Sequence, residues 1–135
     1  MGWFQEYVEK IRARPAMYIG GDSTNNLHSF MMGYMSARID MELPELDDED
    51  AQILQHFQYW LDIRFGFHSN QGWASLISDN YRDISKTSIG AFYILFDEYT
   101  ELLKQTTFRE IKKKHGELIK KTREEFGLPC PDSLI

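Results

Sequence analysis

One stretch of this sequence, residues 85–105, constrains the fold most, because its apolar side chains recur at the period of an α-helix. Successive members are three or four residues apart, so a helix places all of them on one side. They are Ile89, Phe92, Phe96, Tyr99 and Leu103, with Tyr93 and Leu102 at the edges. We therefore predict a long helix here and expect it to form the centre of the core.

Three earlier segments show the same period. A first helix, about 3–14, should end before Pro15, because the residue preceding a proline is pushed out of helical conformations. A second helix follows the capping residues 23–25. A third should begin at Asp47 or Asp48, since acidic groups suit the positive end of a helix dipole.

A last helix is predicted to begin at a capping box, in which Thr107 and Glu110 each satisfy a backbone donor, and to end at Gly127. The side chains expected to face inward are Ile111, Leu118, Ile119 and Phe126. Segment 66–83 is harder to interpret, since residues 73–77 fit either a short helix or a short strand. The sequence as a whole predicts an all-α fold, a single compact domain of five or six helices over residues 1–135.

The composition is that of a globular protein, with 42% hydrophobic and 27% charged residues. The single cysteine, Cys130, excludes an internal disulfide and a cysteine-based zinc site. The first residues lack the basic start and apolar run of a secretion signal, and no apolar stretch reaches the roughly 18 residues that span a membrane. We therefore expect a cytoplasmic protein that does not bind a membrane.

Residues 11–20, Ile-Arg-Ala-Arg-Pro-Ala-Met-Tyr-Ile-Gly, contain a motif with a family resemblance. The motif resembles the arginine-proline-glycine-methionine-tyrosine-isoleucine-glycine signature near the start of the ATPase domain of type II topoisomerases, such as the DNA gyrase B subunit. Ala16 replaces the usual glycine, and the likeness continues through residues 27–28 and 39–40. The same loop can also serve only as a turn between two helices, with residues 20–21 reversing the chain.

The positions that carry the ATPase chemistry in that family differ in this chain. The gyrase helix after the motif supplies a glutamate that activates water and an aspartate–asparagine pair near the adenine and the magnesium ion. The aligned residues here are Gly33, Ser36 and Ala37, which can neither act as a general base nor bind magnesium. The Gly-x-Gly pattern of the ATP lid is also missing from the sequence. The resemblance therefore implies no ATPase activity and no nucleotide cofactor.

A second resemblance combines this motif with residues 91–99, Ala-Phe-Tyr-Ile-Leu-Phe-Asp-Glu-Tyr. Together they are similar to small immunity proteins encoded beside polymorphic toxins in bacteria. This resemblance implies a non-catalytic protein that neutralises a cognate toxin by covering its active surface. The alternative is a regulatory protein that mimics the gyrase segment and acts on a topoisomerase or a DNA-binding partner.

Charge is distributed unevenly along the chain. Residues 40–50, which we call the acidic run, include seven acidic side chains and no basic one, whereas the last helix is rich in lysine. The net charge of −6 argues against direct binding of nucleic acid. We expect the acidic run to steer a basic toxin domain, or else to be a solvated linker. The side chains predicted to contact the partner are Asp47, Asp48, Glu49 and Asp50.

Aromatic residues make up 14% of the chain, more than we expect a core of this size to bury. Some rings between Phe65 and Tyr81 should therefore reach the surface, where tryptophan and tyrosine commonly anchor interfaces. The candidate anchors are Trp60, Trp73 and Tyr81, although for any single one of these rings we expect core packing more than exposure.

Four histidines are candidates for metal binding or catalysis: His28, His56, His68 and His115. None stands in a His-x-x-x-His or Glu-x-x-His pair, so a metal site would require distant segments to come together. We expect His28 to be a hydrogen-bonded structural residue, and we predict no metal ligand, no catalytic residue and no cofactor. An enzyme would instead be indicated by a deep pocket that contains a histidine and carboxylates.

Overall fold

The computed structural model describes residues 3–14, 23–42, 48–69 and 71–127, and these ranges hold six α-helices and no β-strand. In chain order the helices are α1 (Trp3–Ala13), α2 (Thr24–Asp40), α3 (Asp48–Phe65), α4 (Trp73–Asn80), α5 (Ser88–Leu102) and α6 (Phe108–Glu125). The all-α prediction is confirmed, and the ambiguous segment 66–83 contains a helix rather than a strand. No helix within these ranges is long and apolar enough to cross a membrane.

Helix α5 lies in the core, as its apolar period predicts. Phe92, Phe96 and Tyr99 are at most 3% exposed. The helix begins slightly later than predicted because Thr87 caps it, its side-chain oxygen accepting a hydrogen bond from the backbone N–H of Gly90 at 3.0 Å. The long apolar side of α5 therefore packs against α2, α3 and α4.

Phe57 of α3 organises an aromatic core with rings from α4 and α5. Its ring centroid lies 5.2 Å from that of Tyr99, 5.5 Å from Phe96, 5.8 Å from Phe92 and 6.2 Å from Trp73. Such ring pairs contribute about 0.5–1.5 kcal/mol each beyond the burial of their area. Much of the high aromatic content thus fills the interior instead of a surface.

Helix α6 packs along α3 and begins where predicted, with the Thr107 half of the capping box formed. The hydroxyl of Thr107 accepts a hydrogen bond from the backbone N–H of Glu110 at 3.2 Å. Ile111 and Ile119 are buried as predicted, but Phe126 is 74% exposed, so its predicted inward orientation is wrong. Phe126 follows the free end of the helix, beyond Ile119, which is the last buried residue of α6.

One buried residue, Thr24, ties the start of α2 to two other helices. Its hydroxyl donates to the backbone carbonyl of Ala74 in α4, and its backbone N–H donates to the hydroxyl of Ser88 in α5, both at 2.9 Å. The second bond satisfies a backbone donor that the first turn of a helix leaves unpaired. Leu27 and Met31 continue the buried side of α2, so the opposite side of this helix is left to solvent.

Candidate functional site

The predicted acidic contact residues fall at the start of α3. The backbone of Asp48, Glu49 and Asp50 forms its first turn, so this helix begins where the sequence predicts. Asp47 lies outside the described residues, and so do the side chains of the other three. Residues 15–22, which include most of the gyrase-like motif, lie outside them as well. The contacts predicted for these residues therefore stay predictions.

Trp60 and Trp73 are only 8% and 7% exposed, so their assignment as candidate anchors is wrong. Both rings face the aromatic core. The ring centroid of Trp60 lies 5.7 Å from that of Tyr99, and the centroid of Trp73 lies 5.3 Å from that of Phe92. Tyr81 is half-buried. Of the three predicted aromatic anchors, only Tyr81 therefore keeps part of its ring available to a partner.

The outer side of α2 is exposed and uncharged along most of the helix. The residues of this side recur at helical spacing, and we call the surface that they form the α2 face. Its members are Asn25, Ser29, Met32, Gly33, Ser36 and Ala37. Met32 is 54% exposed, and no atom lies within 4 Å of the position that a Cβ would take at Gly33. The α2 face is thus an open surface with one large apolar side chain. It includes the three positions at which the gyrase pattern has its ATPase residues.

The α2 face ends at three exposed residues, Asp40, Met41 and Glu42, where the acidic run begins. The backbone N–H of Met41 donates to the carbonyl of Ala37 at 3.0 Å, which closes the last turn of the helix. The Met41 side chain is 64% exposed, and its neighbours in the sequence, Asp40 and Glu42, are both acidic. Protein interfaces are enriched in methionine and depleted of charge at their centre, with a polar rim around it. The α2 face and its acidic end share the exposed methionine, the uncharged centre and the polar rim, whereas serine and alanine are less frequent in interfaces than on the rest of a protein surface.

A second candidate site lies where the end of α3 meets α6. The carboxylate of Asp62 is buried, the residue being 1% exposed, and its Oδ2 lies 2.8 Å from Nε2 of His115 and 3.1 Å from Nδ1 of His68. Because a carboxylate oxygen only accepts, each of these nitrogens carries the donated proton. The other oxygen, Oδ1, is buried and has no hydrogen-bond partner among the described residues. We call these three residues the Asp62 cluster.

A glycine turn at the end of α3 brings His68 back onto Asp62. Gly66 has φ +85°, a left-handed conformation that glycine adopts without steric cost. The backbone N–H of Phe67 donates to the carbonyl of Asp62, and that of Gly66 donates to the carbonyl of Ile63, both at 3.2 Å. This pair of bonds is a Schellman motif, which reverses the chain after a helix. The local sequence therefore positions one half of the cluster.

The other half of the cluster comes from α6, and a tyrosine of α3 orients it. The ring of Tyr59, one turn before Asp62, stacks on the ring of His115 with centroids 4.5 Å apart and planes at 20°. The Tyr59 hydroxyl accepts a hydrogen bond from Nε2 of Gln55 at 2.9 Å. His115 is thus held by a ring on one side and a carboxylate on another.

No closely spaced histidine pair marks the Asp62 cluster in the sequence, because His115 stands 53 residues from Asp62 along the chain. The cluster is assembled from distant segments, as the spacing of these histidines requires of any site that contains them. A local signal was nevertheless present, since Gly66 predicts a helix stop and places His68 immediately after the reversal. His28, predicted to be a structural residue, is instead exposed against the edge of Trp73.

A cleft of about 600 Å³ lies between α1, α5, the first part of α3 and the turn before α6. Its lining includes Glu9, Asp97 and Lys104, and none of the described residues that line it is a histidine. At its rim, Arg12 makes a two-pronged ion pair with Asp97 at 2.9 and 2.6 Å, and the hydrogen bond with this carboxylate raises the pKa of the guanidinium.

No protein-family model, curated protein or solved structure matches this chain. The resemblances to immunity proteins and to the gyrase segment therefore stay predictions.

Proposed function

We propose that this chain is a non-catalytic, protein-binding protein of the immunity type, which acts in the bacterial cytoplasm by covering the active surface of a basic toxin domain. The observation that carries the proposal is the α2 face, an exposed and uncharged helix side that leads directly into the acidic run. The binding surface is the α2 face together with the acidic run.

The α2 face has the physical properties of an interface centre. Serine, glycine and alanine side chains are short, so a partner can approach the helix backbone closely. No charge has to be stripped of water in the process, which removes a cost that buried ionic groups impose on binding. Met32 and Met41 add flexible apolar side chains, which adapt to the shape of an opposing surface.

The acidic run supplies the long-range attraction. A toxin that cleaves nucleic acid has to be positively charged where it holds phosphate, and a row of carboxylates can occupy that surface. Complementary charge of this kind raises association rates by about 10- to 1000-fold at low salt. The acidic run therefore accounts for the speed of binding, and the α2 face accounts for its short-range fit.

The basic residues of α6 do not favour nucleic acid as the partner. Lys112, Lys113 and Lys114 are exposed, but the same helix carries several glutamates and the whole chain has a net charge of −6. Proteins that bind nucleic acid without further help carry a basic surface and usually a basic net charge. We therefore propose a protein partner.

The test is to identify a basic toxin domain encoded beside the gene and to measure protection against it, with one variant on the α2 face and one control. Gly33→Arg places a long cation where no atom is within 4 Å, so it should leave the fold intact. Gln105→Arg makes a similar change at an exposed position between α5 and α6. We expect cells that express the wild-type chain or Gln105→Arg to grow in the presence of the toxin, and cells with Gly33→Arg to die.

Protection by Gly33→Arg equal to that by the wild-type chain would exclude the α2 face as the binding surface. Failure of the wild-type chain to protect, combined with its stable association with purified gyrase, would favour the regulatory alternative. Circular-dichroism melts of both variants show whether the fold is unchanged.

A further inference from the structure

We propose that the Asp62 cluster is a binding site for a divalent transition-metal ion, with Zn²⁺ as the first candidate. One nitrogen of His68, one nitrogen of His115 and one carboxylate oxygen of Asp62 lie within 4.8 Å of one another. These residues belong to α3, to the turn after it and to α6. The inference is independent of the proposed function, which depends on the α2 face.

The distances between the donor atoms are close to those that a metal ion requires. Around a tetrahedral zinc ion with bonds of about 2.0–2.1 Å, neighbouring ligand atoms are separated by about 3.3 Å. Asp62 Oδ2 lies 2.8 Å from His115 Nε2 and 3.1 Å from His68 Nδ1. Replacing the two shared protons by an ion therefore requires the two nitrogen–oxygen distances to lengthen by only a few tenths of an ångström, roughly. The two ring nitrogens, which lie within 4.8 Å of each other, must reach the same separation.

The burial of Asp62 provides a second, separate argument for a cation. An ionised carboxylate that is 1% exposed has lost its water and needs compensating charge or hydrogen bonds. The two imidazoles both donate to Oδ2, and buried Oδ1 has no hydrogen-bond partner in the described part of the chain. A divalent ion beside this carboxylate compensates its charge and is within reach of either oxygen.

The donor set identifies the class of metal. Two imidazole nitrogens and one carboxylate oxygen suit zinc, cobalt, nickel or copper ions, whereas calcium and magnesium prefer sites made of oxygen. Three protein ligands leave a fourth position of a tetrahedral ion open. The His68 side chain is 30% exposed, so solvent reaches the cluster from that side and can supply water as the fourth ligand.

The ligands are held in place before any ion arrives. Tyr59 stacks on His115, and the Schellman turn at Gly66 fixes the path that leads to His68. Groups that orient ligand side chains strengthen metal binding because less ordering is required when the ion binds. An ion at this position also links the end of α3 to α6, so it should stabilise the folded chain.

The experiment is calorimetric titration of chelator-treated protein with Zn²⁺, using one ligand variant and one matched control. His68→Gln removes the ligand that is most accessible to solvent and so the one least needed for folding. His28→Gln removes a more exposed imidazole, which lies beside Trp73 and outside the Asp62 cluster. We expect one ion per chain for the wild type and for His28→Gln. His68→Gln should bind roughly 100-fold more weakly, at or beyond the upper end of the loss caused by removing outer-shell partners.

Two further readouts keep the inference testable if a variant folds poorly. Zn²⁺ should raise the melting temperature of the wild type and of His28→Gln but not that of His68→Gln. Co²⁺ bound to the wild type should give the intense visible absorption of a tetrahedral site. Absence of saturable binding of both ions by the wild type, or equal binding by His68→Gln, would show that the cluster is a hydrogen-bond network of the protein alone.

Discussion

The Asp62 cluster and the α2 face differ in which kind of side chain is buried. The cluster buries a carboxylate, whereas the α2 face exposes an apolar methionine. In the cluster, three titratable residues lie at the edge of the core, and one carboxylate is almost completely buried. On the α2 face, Met32 is more than half exposed. The buried carboxylate costs folding free energy that contacts within the chain return only in part, whereas a singly exposed methionine costs none. A buried polar group of this kind is where a protein is expected to meet something outside itself.

The largest effect should be on the free energy of unfolding, when a buried side chain of the core and an exposed side chain of the α2 face are each replaced by alanine. Phe92→Ala removes a fully buried ring and should lower the free energy of unfolding by about 3–5 kcal/mol. Met32→Ala removes an exposed side chain and should change it by less than about 0.5 kcal/mol. Denaturation in urea measures both values. A loss of about 2 kcal/mol or more for Met32→Ala would mean that the α2 face is packed in solution.

The next largest effect concerns the acidic run beside the α2 face. Changing Asp47, Asp48, Glu49 and Asp50 together to the corresponding amides should slow association with a basic toxin by about 10- to 1000-fold at low salt. The dependence of the rate on ionic strength should become weaker as well. Folding should change little, since contacts of a first-turn acid with the helix dipole contribute roughly 0.3–1 kcal/mol each.

Stopped-flow association rates over a range of salt concentrations test this expectation, and thermal melts serve as the control. Unchanged rates at low salt with an intact fold would mean that the acidic run is only a solvated linker. The partner would then have to be recognised by the α2 face without electrostatic steering.

The smallest effect should appear in the pH dependence of stability, through His56, another buried polar residue of α3. Burial lowers the pKa of His56 below its usual value, and Lys112 lowers it further, although a hydrogen bond with the carbonyl of Gln52 acts in the opposite direction. The unfolded chain therefore takes up a proton at a higher pH than the folded chain does. Stability should fall as the pH drops below the unperturbed value of about 6.5.

Melting temperatures at about pH 7.5 and about pH 5.5 test this direction, with His56→Gln as the comparison. The wild type should lose more on acidification than the variant, because glutamine takes up no proton. An equal loss in both proteins would assign the pH dependence to other groups.

Local patterns predicted the helices but not the cluster. The stripe that includes Phe92 and Phe96 identified α5, and the pairing of Thr107 with Glu110 located the start of α6, since both signals lie within a few turns of chain. The burial of Trp60 and Trp73 was not predictable in this way. Periodicity indicates that a ring lies on an apolar side, and only the packing of neighbouring helices decides whether that side is covered.

The two hydrogen bonds that Thr24 makes with α4 and α5 have a consequence for how the sequence of this protein can evolve. The anchoring side of α2 and its outward side share no residue, so substitutions at Ser29, Gly33 or Ser36 leave the anchoring bonds untouched. Such positions are free to vary without loss of the fold, and additivity is expected between them and the interior. If the chain binds a toxin as proposed, changes on one helix side alone could follow changes in the toxin surface. The fold would then be a constant support for a specificity that differs between lineages.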